Sequence, residues 1–141
     1  MKFLDANIFI YAFYKPKRQL TTLEKRLKDL SKRVVTEVGD GKEAVVTTVV
    51  HLSEVVDILK HSFTVTQLGE IVTGLLMLDN VEVLEVGRTE YFAATELGQE
   101  LGLDPNDALA VQVMRLRRMT EIYSFDNVFE KVDEVTRLSA L

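Results

Sequence analysis

Hydrophobic positions along this chain fall into two rhythms. Short runs rich in β-branched and aromatic residues occupy 2–4, 44–48 ("AVVTT"), 81–86 ("VEVLEV") and 121–125 ("EIYSF"), with a weaker one at 135–138. Between them, apolar residues recur every three or four positions over 7–14, 22–38, 49–61, 65–78, 88–101 and 105–119, the period of an amphipathic helix. Strands alternating with helices predict an α/β sandwich with a mainly parallel central sheet. Several strands are apolar on both faces, as a sheet covered by helices on each side requires. Punctuation agrees. Asp104-Pro105 places a capping acid before a first-turn proline, and Gly39-Asp40-Gly41 closes the long second helix. No internal repeat or linker interrupts the pattern, so a single domain over 1–141 is expected.

Composition narrows the class. The 141 residues suffice for a full core, and 47% hydrophobic with 28% charged residues excludes a low-complexity or disordered chain. The absence of cysteine removes disulfides, thiolate chemistry and Cys-ligated zinc or iron–sulfur sites. No apolar run approaches the roughly 18 residues of a membrane span. Asp5 and Asn7 break the first apolar stretch, so no signal peptide is expected, and a cytoplasmic protein without a membrane partner is. The net charge of −5 argues against indiscriminate coating of nucleic acid. It is uneven, however. Residues 15–33 carry eight of the seventeen basic side chains against Glu24 and Asp29, a local +6 that either attracts a polyanion or is a solvated helical face.

The acids change the picture most. In a parallel α/β sheet, strand C-termini and the following helix N-termini share one edge, where ligands bind. Asp5 follows the first strand directly, and Asp126 follows "EIYSF". Glu54 lies in the second turn of the helix after "AVVTT", and Asp107 in the first turn of the helix opened by Asp104-Pro105. Each alone suits a helix cap, a contribution of about 0.5–2 kcal/mol. Helical position weakens that reading for two of them. Val49, Leu52, Val55, Val56 and Leu59 form the expected core stripe of their helix, and Glu54 lies between Val50 and Ile58 on a second apolar stripe. Asp107 heads the stripe Asp107–Val111–Met114, with Ala108, Gln112 and Arg115 expected on the polar side. Carboxylates gathered this closely raise one another's pKa unless they share a proton or hold a cation. Oxygen donors without cysteine favour a hard ion, Mg²⁺ or Mn²⁺, and with it phosphoryl transfer or phosphodiester hydrolysis.

These motifs, in this order, resemble the PIN-domain ribonucleases, and among them the VapC-type toxins of toxin–antitoxin pairs. The opening "FLDANIFIYAF" matches the family's strand–Asp–x–Asn and apolar helix. "TTVVHLSEVVDIL" matches its helix-borne glutamate, "PNDALAV" its Asp-Ala-Leu helix start, and "YSFDNVF" its closing strand with Ser-x-Asp. The resemblance implies a three-layer PIN-like sandwich and a Mg²⁺- or Mn²⁺-dependent endoribonuclease. It implies that Asp5, Glu54, Asp107 and Asp126 are catalytic and surround the metal, with Asn7 and Ser124 as supporting groups. It further implies an RNA substrate, an antitoxin partner, and a homodimer formed through the early helices. Two departures stand out: Ala6 where relatives often carry a hydroxyl, and Asn127 where some carry another acid. The stretch between Asp5 and Glu54 is also longer than in compact members.

Rival constellations are weaker. His51 and Glu54 are three apart on a helix, but no His-Glu-x-x-His pattern occurs and His61 is too far along. His51 is expected as a half-buried residue at the edge of the site. "DANIF" lacks the second aspartate of a haloacid-dehalogenase-type phosphatase, and no glycine-rich loop suggests nucleotide binding. A binding module of the same fold that holds RNA or protein without cutting is the alternative. A phosphatase acting on a small substrate is the third.

Overall fold

The computed structural model describes residues 1–14 and 16–138, so Lys15 of the basic segment and residues 139–141 lie outside the described residues. Five strands run β1 (Lys2–Leu4), β2 (Val45–Thr48), β3 (Val81–Leu84), β4 (Glu121–Tyr123) and β5 (Thr136–Leu138). They form one sheet in the order β3-β2-β1-β4-β5, and every pairing is parallel. Six helices are described: α1 (Ala6–Phe13), α2 (Thr22–Gly39), α3 (Val49–Leu59), α4 (Val65–Leu76), α5 (Arg88–Leu101) and α6 (Pro105–Leu116).

Alternating strand residues separate two cores. Phe3, Val46 and Ile122 pack with α5 and α6 residues such as Ala94, Leu109 and Met114 on one face. Leu4, Val45 and Tyr123 pack with Ile8 and Phe9 of α1, Val34 and Val38 of α2, Val55 and Leu59 of α3 and Leu75 of α4 on the other. Helix–sheet–helix layering follows, because a strand side-chain period of two sends successive apolar residues to opposite faces.

The elements match the sequence pattern, with shorter ends. Strand β3 stops at Leu84 and β4 at Tyr123, and a 3-10 turn, Asn127–Lys131, follows β4 where no element was expected. Helix α6 ends at Leu116 rather than 119, because Arg118 enters the left-handed region (φ 55) and Met119 N–H closes on the Met114 carbonyl at 2.8 Å. Two packing expectations are corrected. Val49, assigned to the core stripe of α3, is 42% exposed because it is the helix's first residue and faces outward at the sheet edge. Ala108, assigned to the polar side of α6, is fully buried against α5.

The basic segment is partly structural. Arg18 makes a two-point contact with Glu24 at 2.7 Å, and Glu24 also completes the capping box of α2 with Thr21. Lys28 donates to the carbonyls of Tyr11, Ala12 and Tyr14 at the end of α1, where a cation complements the helix dipole.

Candidate active site

The strand order reverses direction between β1 and β4, the switch point at which a parallel sheet opens a crevice beyond its strand C-termini. Asp5 leaves β1 there as the N-cap of α1 and is 5% exposed. Its Oδ1 accepts from Ala6 N–H at 2.8 Å and its Oδ2 from the buried Ser124 hydroxyl at 2.6 Å. Ser124 Oγ accepts in turn from Asp126 N–H at 3.0 Å and from the Asn7 amide at 3.4 Å. Asn7 Oδ1 accepts from Phe125 N–H at 3.3 Å. Asp126 caps the 3-10 turn through Val128 N–H at 3.1 Å. One serine hydroxyl and one asparagine thus stitch two strand ends together, and Asp5 and Asp126 are fixed on either side. Burial pushes the Asp5 carboxyl up to about 6, against the lowering effect of the Ser124 and Ala6 hydrogen bonds.

Glu54 and Asp107 come from the other flank. Thr48 caps α3, accepting at Oγ1 from Val50 and His51 N–H groups. One turn on, Glu54 Oε1 accepts a hydrogen bond from the Asn106 side-chain amide. Asn106 Oδ1 accepts from the Tyr91 hydroxyl at 2.5 Å, so α5, α6 and α3 are joined at this corner. Asp104 caps α6 through Asp107 N–H at 2.9 Å and leaves Asp107 in the first turn. Burial raises the Glu54 carboxyl, only partly offset by Asn106. Asp107 is pushed up to about 8, by burial first and then by the charges of Asp104, Asp5, Asp126 and Glu54.

All four predicted acids, with Asn7 and Ser124, therefore meet at one edge and feel one another's field. Among the described residues no three His, Asp or Glu side chains already close round a single point as an ion would require. The donor set nonetheless fits a divalent cation. It is all oxygen, and Asp107 is the carboxyl whose ionisation the other acids oppose, an opposition that a cation would relieve.

His51 departs from expectation. It is 1% exposed rather than half-buried, with its ring edge-on to Phe3 at 5.0 Å, Nδ1 on Thr48 Oγ1 at 2.7 Å and Nε2 on the Asn106 carbonyl at 3.1 Å. Burial lowers it to about 4. It braces the start of α6 from beneath. The sequence reading also missed Asn106, Tyr91 and the contribution of Asp104 to the acidic field. Adjacency to Asp107 in "DPNDALA" was the only signal for Asn106.

A parallel sheet with an acid-lined switch point defines the class, and comparison with known proteins defines the family. The chain belongs to the PIN-domain family, whose model matches residues 2–135. Its fold is similar to a toxin–antitoxin complex from Klebsiella pneumoniae, at 15% identity and a TM-score of 0.65 over 96% of each chain. It is also similar to VapC20 of Mycobacterium tuberculosis, described as a sarcin–ricin loop cleaving toxin, at 18% identity and a TM-score of 0.66 over 94% of this chain and 95% of that one. A third likeness is to VapBC2 of Rickettsia felis bound to a fragment of its promoter DNA, at 15% identity and a TM-score of 0.63 over 97% and 96% of the two chains. No curated protein matches the sequence. Among the described residues no helix is long and apolar enough to cross a membrane.

Proposed function

We propose that this protein is a metal-dependent endoribonuclease of the VapC type, hydrolysing RNA phosphodiester bonds, with Asp5, Glu54, Asp107 and Asp126 holding Mg²⁺ or Mn²⁺. The observation that carries the reading is the gathering of four acids from α1, α3, α6 and the turn after β4 at one sheet edge, where burial and the neighbouring carboxylates raise Asp107. Family membership and the likeness to toxin structures support it.

The chain's own residues have separable tasks. Ser124 and Ala6 N–H hold both oxygens of Asp5 in one orientation. Asn7 ties that pair to the Phe125 backbone, and Asn106 fixes Glu54 from the opposite flank. A bound divalent ion supplies Lewis acidity toward a phosphodiester and toward an attacking water. Exposed apolar side chains on α2 and α4, including Leu23, Val65 and Leu76, offer surface to an antitoxin or a second copy of the chain. A cytoplasmic setting belongs to the same reading.

The test is cleavage of a panel of structured and single-stranded RNAs with Mn²⁺, Mg²⁺ or EDTA, beside identically purified Asp107→Asn. Metal-dependent cutting reduced at least about a hundredfold in the variant is expected. Equal cutting by both proteins would point to a contaminating nuclease and remove the enzymatic reading.

A further inference from the structure

A cavity of about 550 Å³ opens beside the acids, between α3 and the start of α5. Val49, Val50 and Val86 give it apolar wall, Tyr91 an aromatic side chain, Arg88 a guanidinium, and Glu54 and Asn106 are shared with the acidic rim. We infer that this cavity seats one unpaired nucleotide of the RNA next to the scissile phosphate, with Tyr91 as the base-stacking surface and Arg88 as the phosphate contact. The inference rests on the ribonuclease reading and names where that reaction gains its hold on the strand.

Four observations converge on it. The cleft is open to solvent, and its volume lies within the roughly 300–1,000 Å³ of ligand sites, room for one splayed nucleotide. Aromatic surface beside a cation is the pairing that single-stranded nucleic acid binds, the ring taking the base and the cation the backbone. Arg88 forms no ion pair among the described residues, whereas the acid at the lip, Asp57, is paired with Lys60 at 2.7 Å. Finally, Val49 stands 42% exposed in the first turn of α3, an outlay of apolar surface that a base resting on it would cover. With Asp57 paired to Lys60, Glu54 is the lining acid that repels an acidic peptide, which favours a ligand that turns a base toward Glu54 and its phosphate toward Arg88.

The position also links binding to the acids. The Tyr91 hydroxyl donates to Asn106 Oδ1 at 2.5 Å, and the Asn106 amide donates to Glu54. A base packed on Tyr91 therefore presses on the side chain that orients Glu54, which makes Tyr91 a positioning residue as well as a stacking one.

The experiment uses the full chain in the Asp107→Asn background, which is expected not to cut, with a single-stranded RNA hexamer carrying 2-aminopurine. Adding Arg88→Gln or Tyr91→Ala is expected to weaken binding about tenfold, and Tyr91→Ala to abolish quenching of the 2-aminopurine by stacking. Lys42→Gln, which removes the same charge at the opposite edge of the sheet, is expected to change binding less than about twofold. With Asp107 restored, Tyr91→Phe is expected to keep KM near wild type and lower kcat, since the ring remains and the hydroxyl that holds Asn106 is gone. Unchanged binding and quenching in folded Arg88→Gln and Tyr91→Ala proteins would overturn the inference while metal-dependent cutting by the parent left the ribonuclease standing. A parent that neither binds nor cuts RNA would overturn both.

Discussion

A neutral histidine whose Nε2 faces a carbonyl oxygen has one tautomer open to it. The Asn106 carbonyl only accepts, so His51 carries its proton on Nε2, and Nδ1 accepts from the Thr48 hydroxyl. That hydroxyl already accepts two backbone N–H groups, so a second proton on the ring would leave two donors facing each other. Burial lowers the folded pKa to about 4, below the ordinary 6.5. Between those values the unfolded chain binds more protons than the folded one, so this residue's contribution is complete above pH 6.5 and shrinks as pH falls toward 4. The linked free energy is about 3 kcal/mol. Asp5 titrates in the opposite sense, since its folded pKa is raised to about 6, and partly masks the effect in the native protein. The difference between the native protein and His51→Gln isolates it. In urea unfolding, the stability advantage of the native protein over His51→Gln is expected to narrow between pH 7 and pH 4. Parallel profiles would show that the ring is not held neutral.

At the scale of elements, the decisive contact is the hairpin of α5 and α6, which carries Tyr91 on one arm and Asn106 and Asp107 on the other. Gly98 lets the arms close. A Cβ there would lie 2.5 Å from the Leu103 carbonyl oxygen and 3.3 Å from Ala108 Cβ, and Gly102 (φ 71) supplies the left-handed turn between them. Gly98→Ala is expected to cost about 1–3 kcal/mol in denaturant unfolding, as overpacking does, and to lower RNA cleavage by shifting Asn106 against Glu54. A variant with native stability and native cleavage would remove Gly98 from this role. The elements themselves were legible in the sequence because apolar period and capping chemistry are local. The left-handed Arg118 and the 3-10 turn were not, since no glycine or proline announces either. That the four acids share an edge was legible from topology and helical position, since strand ends and helix starts meet there, while their catalytic role came only from the family resemblance. The Asn106–Glu54 and Tyr91–Asn106 bonds were not, because they join residues 52 and 15 apart that only the packed hairpin brings together.

The molecule as a whole carries a net charge of −5, and Asp5, Glu54, Asp104, Asp107 and Asp126 gather at one sheet edge. Burial and the neighbouring acids disfavour an ionised Asp107 at that edge. Asp107 has a folded pKa of about 8 against an ordinary value near 3.8, so its favourable contribution is full only below 3.8 and is lost as pH rises through 8. Removing the charge should therefore stabilise the metal-free protein at alkaline pH, by about 2 kcal/mol once its partial exposure to solvent is discounted, and by less at pH 5. A cation bound by the folded state reverses the ranking, because it stabilises only the chain that still has the full set of oxygens. Melting in EDTA at pH 8 is expected to place Asp107→Asn above the native protein. Millimolar Mn²⁺ is then expected to raise the native Tm with concentration and to leave the variant nearly unmoved. If the variant melts lower in EDTA, the acids are not in conflict. If Mn²⁺ raises both proteins equally, Asp107 is not a ligand. The crossing of the two curves would make Asp107 a ligand of a cation at this edge, because a cation held by the folded state turns its unfavourable charge into a stabilising one.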